Sequence, residues 1–188
     1  MSPTRTIGAG HRRRCHQLGS ARVILVRPRY PENLGAVARA MRVTGFSRLV
    51  LVAPLPLASA AHDQARKMAV GATHILDELT IAKDLADAID GAQVVIGTSA
   101  RHGLREVRTP RAMAPEVLRL AQEGKAVALV FGGEREGLRR EEMARCSHRV
   151  RIPMVASEPS LNLAQAAMII LYELMVAAFG SDPAAAGR

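Results

Sequence analysis

Short runs of β-branched and aliphatic residues alternate along this chain with stretches of helical periodicity, and that alternation restricts the fold to one class. ARVILVR (21–27), RLVLV (48–52), QVVIG (93–97) and KAVALVF (125–131) read as strands, with helical patterns over 33–44, 111–122 and 161–179. The strands are nearly continuous in apolar residues, which suits strands buried on both faces of a parallel sheet. The expected fold is therefore α/β, a mainly parallel sheet with flanking helices. Gly45, Gly91 and Gly124 each close a helical pattern, where a left-handed residue ends a helix well.

With 188 residues and 48% hydrophobic content, the chain suffices for one packed domain. Residues 21–180 are expected to form it, between a basic, flexible N-terminal tail (1–20) and a flexible C-terminus (181–188). Two cysteines, Cys15 and Cys146, make no disulfide framework. No export signal opens the chain, and the apolar run from Ala166 to Phe179 is interrupted by Glu173 and too short to span a bilayer. A soluble, cytoplasmic protein with no membrane partner is expected.

The formal charge of +9 points to an anionic partner, yet it is unevenly placed. Residues 1–22 carry five arginines and no acid, which leaves 21 basic against 17 acidic residues in the remainder. HRRRCH (11–16) reads either as a solvated tail or as a nucleic-acid arm, with a slight lean to the tail. Arg101, Arg105, Arg108 and Arg111, opposed only by Glu106, fall in a predicted loop where they would track a phosphate backbone.

Ligands of parallel α/β sheets bind beyond the carboxyl ends of the strands. The loops there are RPRYPENLG (27–35), TSARHG (98–103), FGGEREGL (131–138) and IPMVASEPS (152–160), and they hold nearly all the unusual residues. Familiar chemistries fail on them. GAG (8–10) follows no strand and GGEREG (132–137) lacks the dinucleotide-binding spacing, while Leu138 stands where a phosphate-binding loop needs lysine. Six histidines show no metal-ligand spacing, so no metal is expected. Cys146, near His148, reads as a packed thiol more readily than as a nucleophile.

Taken in order, NLGAVARAM (33–41) before a glycine and a strand, FGGEREGL (131–138), and Ile152-Pro153 with SLNLAQ (160–165) resemble the three signature motifs of the SPOUT methyltransferases of the SpoU/TrmH branch. Arg101 in GTSAR (97–101) and the stretch AVGA (69–72) make the chain most similar to the TrmJ-type tRNA 2′-O-methyltransferases. The resemblance covers Arg22 to Phe179 and implies a deep trefoil knot near the C-terminal end, although general topology rules count knots as near-absent.

The resemblance also implies S-adenosyl-L-methionine as cofactor, held by Thr98, Ser99, Ala100, Gly132, Ile152, Pro159, Ser160 and Leu161. Gly132 is read as a point where backbone approaches the ligand closely. The implied reaction moves a methyl group to an RNA ribose 2′-hydroxyl, by resemblance the 5′-most nucleotide of a tRNA anticodon loop; ribosomal RNA, or a catalytically silent knotted RNA-binding protein, are the alternatives. Asn33, Arg39, Glu134, Ser160 and Asn162 are the implied catalytic set, with Arg39 and Arg101 on the substrate. All but Asn33 have a plainer reading: Arg39 as a solvated helix arginine, Glu134 as a loop acid beside Arg135, Arg101 as a partner of Glu106, Ser160 as the cap of the last helix and Asn162 as a first-turn residue facing water.

A guanidinium is always protonated in proteins, so Arg39 is expected to clamp phosphate and stabilise a developing alkoxide, not to act as a base. Ala164, Ala167, Met168, Leu171, Leu174, Met175 and Ala178 form an apolar stripe on the last helix. On its own the stripe reads equally as core packing; the family resemblance implies that it and the first helix form a homodimer, with each site completed by Arg39 of the partner subunit. The chain departs from the family at Gly133, where arginine is usual, at MVASE (154–158), and in lacking the segment that TrmJ-type members usually carry beyond the position of Phe179. Each departure bears on substrate handling more than on the cofactor.

Overall fold

A computed structural model of the chain describes residues 18–101, 103–155 and 160–179. Seven strands form one sheet: β1 (Arg22–Val26), β2 (Arg48–Val52), β3 (Thr80–Ala82), β4 (Val94–Thr98), β5 (Val107–Arg108), β6 (Val127–Gly132) and β7 (His148–Val150). Their spatial order is β3-β2-β1-β6-β4-β7-β5. Every strand pairing among the described residues is parallel, from Arg22 opposite Arg48 on one side of β1 to Arg22 opposite Ala128 on the other.

Strict alternation along the buried strands divides the core in two. Val23, Leu25, Leu49, Leu51, Ile96, Leu129 and Phe131 face one side of the sheet. There they meet helices α1 (Pro31–Thr44), α2 (Asp63–Met68), α3 (Thr73–Asp77), α5 (Pro110–Gln122) and α7 (Leu163–Phe179). Ile24, Val26, Val50, Val52, Val95, Ala128 and Val130 face the other side, under the short helices α4 (Leu85–Ala88) and α6 (Arg140–Ala144). β3, β5 and most of the short helices were not legible as patterns, because two to six residues hold less than two turns of any period.

Local chemistry sets the ends of the long helices. Pro31 opens α1 and Pro110 opens α5, at positions where the missing N–H costs nothing, and the Thr109 hydroxyl accepts from the Ala112 amide at 3.2 Å. α1 closes at Gly45 with φ 85°. No helix among the described residues is long and apolar enough to cross a membrane.

α7 corrects one expectation. Ala167, Leu171, Leu174 and Ala178, four of the seven residues of the stripe assigned to a second subunit, are buried within this chain, and Ala164 and Met168 pack against the same cluster. The outward stripe is Gln165, Ile169, Tyr172 and Val176. This helix is apolar almost all round, so its periodicity could not tell the inward face from the outward one.

Gly97 shows how tightly α6 sits on β4. A Cβ there would lie 2.6 Å from the Cys146 Sγ and 2.9 Å from the Met143 Sδ. Cys146 is itself buried, and burial pushes its thiol up to about 11, as suits a packed thiol rather than a nucleophile. Gly97→Ala is expected to destabilise the fold by about 1–3 kcal/mol through overpacking. Its urea midpoint should fall while the slope stays that of the parent; an unchanged midpoint would mean that α6 is free to retreat.

Candidate functional site

Because the sheet is parallel, four strand-to-helix loops emerge along one edge. Three of them, after β4, β6 and β7, surround a cleft of about 250 Å³. Thr98, Ser99, Ala100, Gly132, Ile152, Ser160 and Leu161 all line it; Pro159, also expected there, lies outside the described residues. Phe131, Leu138, Met154, Ala166 and Ile170 add apolar wall. Nothing in their types distinguished these five from ordinary core.

The loop after β6 owes its shape to crowding. A Cβ on Gly132 would lie 2.0 Å from the Gly137 carbonyl carbon, and one on Gly133 would lie 2.5 Å from the Arg27 carbonyl oxygen. The side-chain position of Gly132 is thus filled by the chain's own returning loop, while Gly132 also lines the cleft. Gly137 donates to the Gly133 carbonyl at 2.9 Å and closes the turn, which projects Glu134 toward α1.

At the start of α1 the Glu134 carboxylate accepts three hydrogen bonds. One oxygen takes the Arg29 amide at 3.0 Å; the other takes the Tyr30 amide at 3.3 Å and the Asn33 side-chain amide at 2.8 Å. A carboxylate suits a helix N-terminus, where amides lack partners and the dipole is positive. Asn33, buried, then accepts from the Asn162 Nδ2 at 2.8 Å. Asn162 Oδ1 in turn accepts from the Ala164 amide at 2.9 Å and the Gln165 amide at 3.3 Å.

The two ends of this chain fix every amide orientation inside it. A carboxylate can only accept and a backbone N–H can only donate, so both asparagines have one permitted orientation. Asn162 is therefore the cap of α7, and the helix begins at Leu163 rather than at Leu161. Ser160 stands two residues earlier, on the cleft wall. The sequence assigned the cap to Ser160 because a serine after proline is a sound cap signal and side-chain reach is invisible in a string of letters.

Arg27 anchors the same loop from behind. Its guanidinium pairs with Glu142 and reaches the Gly137 carbonyl at 3.2 Å, while its backbone holds a left-handed φ of 53°. Burial is the strongest single influence on the Glu142 carboxyl and works to raise it, but the hydrogen bonds from Arg27 and the Arg139 amide, together with the charges of both arginines, outweigh it and leave the group below the usual carboxylate value.

Arg39 lies on the exposed face of α1, between the buried Ala38 and Ala40, with no hydrogen-bond or ion-pair partner among the described residues. It does not line the cleft of its own chain. Arg101 does, donating to the Glu136 carbonyl at 2.9 Å instead of pairing with Glu106. Two other members of the predicted basic cluster are committed elsewhere: Arg108 pairs with Glu116, and Arg111 with Glu173 at 2.8 Å. The Arg108 guanidinium holds the Glu116 carboxyl below its usual value. Glu116 lies in the helix that follows the cluster and Glu173 lies 62 residues beyond Arg111, both outside the predicted loop, so the cluster looked freer than it is.

Comparison with known proteins agrees with this geometry. Residues 20–172 match the model of the SpoU rRNA Methylase family. The tRNA (cytidine/uridine/adenosine-2′-O-)-methyltransferase TrmJ of Pseudomonas aeruginosa (strain UCBPP-PA14) is 42% identical over 164 residues, 85% of this chain and 62% of that protein. The chain thus spans about six-tenths of that relative's length. The crystal structure of TrmJ from Z. mobilis ZM4 superimposes with a TM-score of 0.74 at 32% identity, covering 87% of this chain and 71% of that one. An AdoMet-bound rRNA methyltransferase from Sinorhizobium meliloti gives 0.63 at 27% identity, over 83% and 56%. With its sheet, its loop cleft and the match across residues 20–172 in agreement, this chain belongs to the SpoU methylase family.

Proposed function

We propose that this chain is an S-adenosyl-L-methionine-dependent RNA methyltransferase acting on a ribose 2′-hydroxyl in the anticodon loop of tRNA, in the cytoplasm, with residues 21–180 as its single catalytic domain. The observation that carries this reading is the hydrogen-bond chain Glu134–Asn33–Asn162, which binds the start of α1 and the start of α7 to the loop that walls the cleft.

The cleft suits the cofactor in kind. Its walls are loop backbone and small polar groups on one side and Leu138, Ile152, Leu161 and Ile170 on the other, as an adenosine with an amino-acid tail would require. Thr98, Ser99, Ala100, Gly132, Ile152, Ser160 and Leu161, with Pro159 beside them in sequence, would hold it. Bound there, it supplies a methyl group on a sulfonium.

Positioning and charge stabilisation are then the tasks left to side chains. Ser160 offers a hydroxyl to the cleft, and Arg101 offers a cation at its mouth for a substrate phosphate. Asn33 and Asn162 hold the two helix starts at fixed distance, and Glu134 fixes Asn33. Arg39 clamps the phosphate next to the target ribose and stabilises the alkoxide as the hydroxyl proton leaves to phosphate or water.

Arg39 is proposed to act on the cofactor site of the partner subunit. Ala36, Arg39 and Val43 run along the outer face of α1, and Ile169, Tyr172 and Val176 along that of α7, which packs against α1. Arginine beside apolar and aromatic residues is the composition of an interface, and the guanidinium would find its counter-charge in the substrate phosphate at the partner's site. The expected knot turns on the path of residues 156–159, outside the described residues. We retain it as part of the proposal on family likeness.

Three outcomes follow. Radiolabelled cofactor should label the ribose of unmodified tRNA, and Arg39→Ala should cut the rate by about 10²-fold or more with cofactor affinity by calorimetry unchanged. Label on ribosomal RNA instead would move the substrate; no label on either RNA, with cofactor bound, would sink the catalytic reading. Asn162→Ala removes a helix cap and strands the buried Asn33 oxygen, so thermal melts should report a loss of about 1–3 kcal/mol together with lower activity. Mixing Arg39→Ala with Ser160→Ala subunits should restore methylation that neither shows alone, and an inactive mixture would place both residues in one subunit's site.

A further inference from the structure

We infer that a second groove beside the cleft seats the RNA nucleotide adjoining the methylated one, with Arg101, Arg140 and Arg149 on its phosphate. This deepens the proposed function and rests on it. The groove, of about 330 Å³, is formed by the loop after β4, by α6 and by β7. It shares Ser99, Arg101 and Leu138 with the first cleft, so the two adjoin across these residues.

Its chemistry is one-sided. The three arginines come from three separate segments, and no acidic side chain lines the groove. Elsewhere in the described chain Arg27, Arg66, Arg108, Arg111, Arg119 and Arg139 each face a carboxylate. Here, among the described residues, the guanidinium groups of Arg101 and Arg149 donate only to backbone carbonyls, of Glu136 at 2.9 Å and Arg105 at 3.3 Å, and the exposed Arg140 has no partner.

Carbonyls hold a guanidinium in place without neutralising it, so three arginines border one largely apolar depression with their charge uncompensated. Its floor is Leu104, Leu138 and Met143. Uncompensated arginines above an apolar floor match a nucleotide, whose phosphate takes bidentate donors while its base or ribose covers aliphatic surface. An isolated anion would leave that floor wet. Adjacency to the methyl-transfer cleft selects a strand that spans both, which is the substrate RNA.

The test uses the full chain and unmodified tRNA made by transcription. Arg140→Gln combined with Arg149→Gln should raise KM for tRNA by about tenfold or more and lower the slope of log Kd against log salt by about 1–2, with cofactor affinity unchanged. Arg140→Lys combined with Arg149→Lys should recover most of the slope, since the charge is kept. A double glutamine variant with parental KM and slope overturns the inference while leaving the methyltransferase reading intact. Should the parent itself label no RNA, both fall together. If the double variant also loses cofactor affinity, the exposed Arg140→Gln change alone decides: its slope must drop by about 0.7–0.9, and a parental slope rejects the groove.

Discussion

One carboxylate organises this site. Glu134 sits where the backbone amides of Arg29 and Tyr30 would otherwise lack acceptors, and through Asn33 and Asn162 it reaches the amides that open α7. Three segments separated by 101 and 129 residues are joined by it into one rigid corner. The net gain per hydrogen bond is modest, about 1 kcal/mol, but an unmatched buried amide or carboxylate costs more. The chain is therefore kept whole or not at all, which is how a loop-built site acquires the fixity that positioning chemistry demands.

The parallel sheet makes that corner possible. Its strand order brings β6 between β1 and β4, so the loop carrying Glu134 stands between the start of α1 and the loop carrying Thr98 to Arg101. Crowding then removes alternatives. Gly132 and Gly133 leave no room for side chains, and Arg27 spends a strained backbone conformation to present its guanidinium to Glu142 and the Gly137 carbonyl. The loop is held from the front by hydrogen bonds to Glu134 and from behind by an ion pair that burial strengthens.

Charge on this protein has to be counted after folding. Among Arg101, Arg105, Arg108 and Arg111, half are neutralised by Glu116 and Glu173. Arg140 and Arg149, unremarkable in sequence, emerge as open cations because α6 and β7 deliver them to the same groove as Arg101. A formal charge of +9 suits an anionic partner in general terms. Which arginines meet it depends on which carboxylates the fold has already assigned.

The sequence by itself determined the α/β class, the long strands and helices, and the four loops that matter, because period and turn residues are local properties that a few residues express. Motif order carried the family and most of the cleft: Thr98, Ser99, Ala100, Gly132, Ile152, Ser160 and Leu161 were legible as a set and lie together. Tertiary structure decided the rest. That Asn162 and not Ser160 caps α7, that the crowding at Gly132 is the chain's own, that the named stripe of α7 faces inward, and that Arg39 points away from its own cleft all depend on which distant groups come within hydrogen-bond or packing distance. Such distances arise only when the sheet brings residues a hundred positions apart to one edge, and no local pattern encodes them.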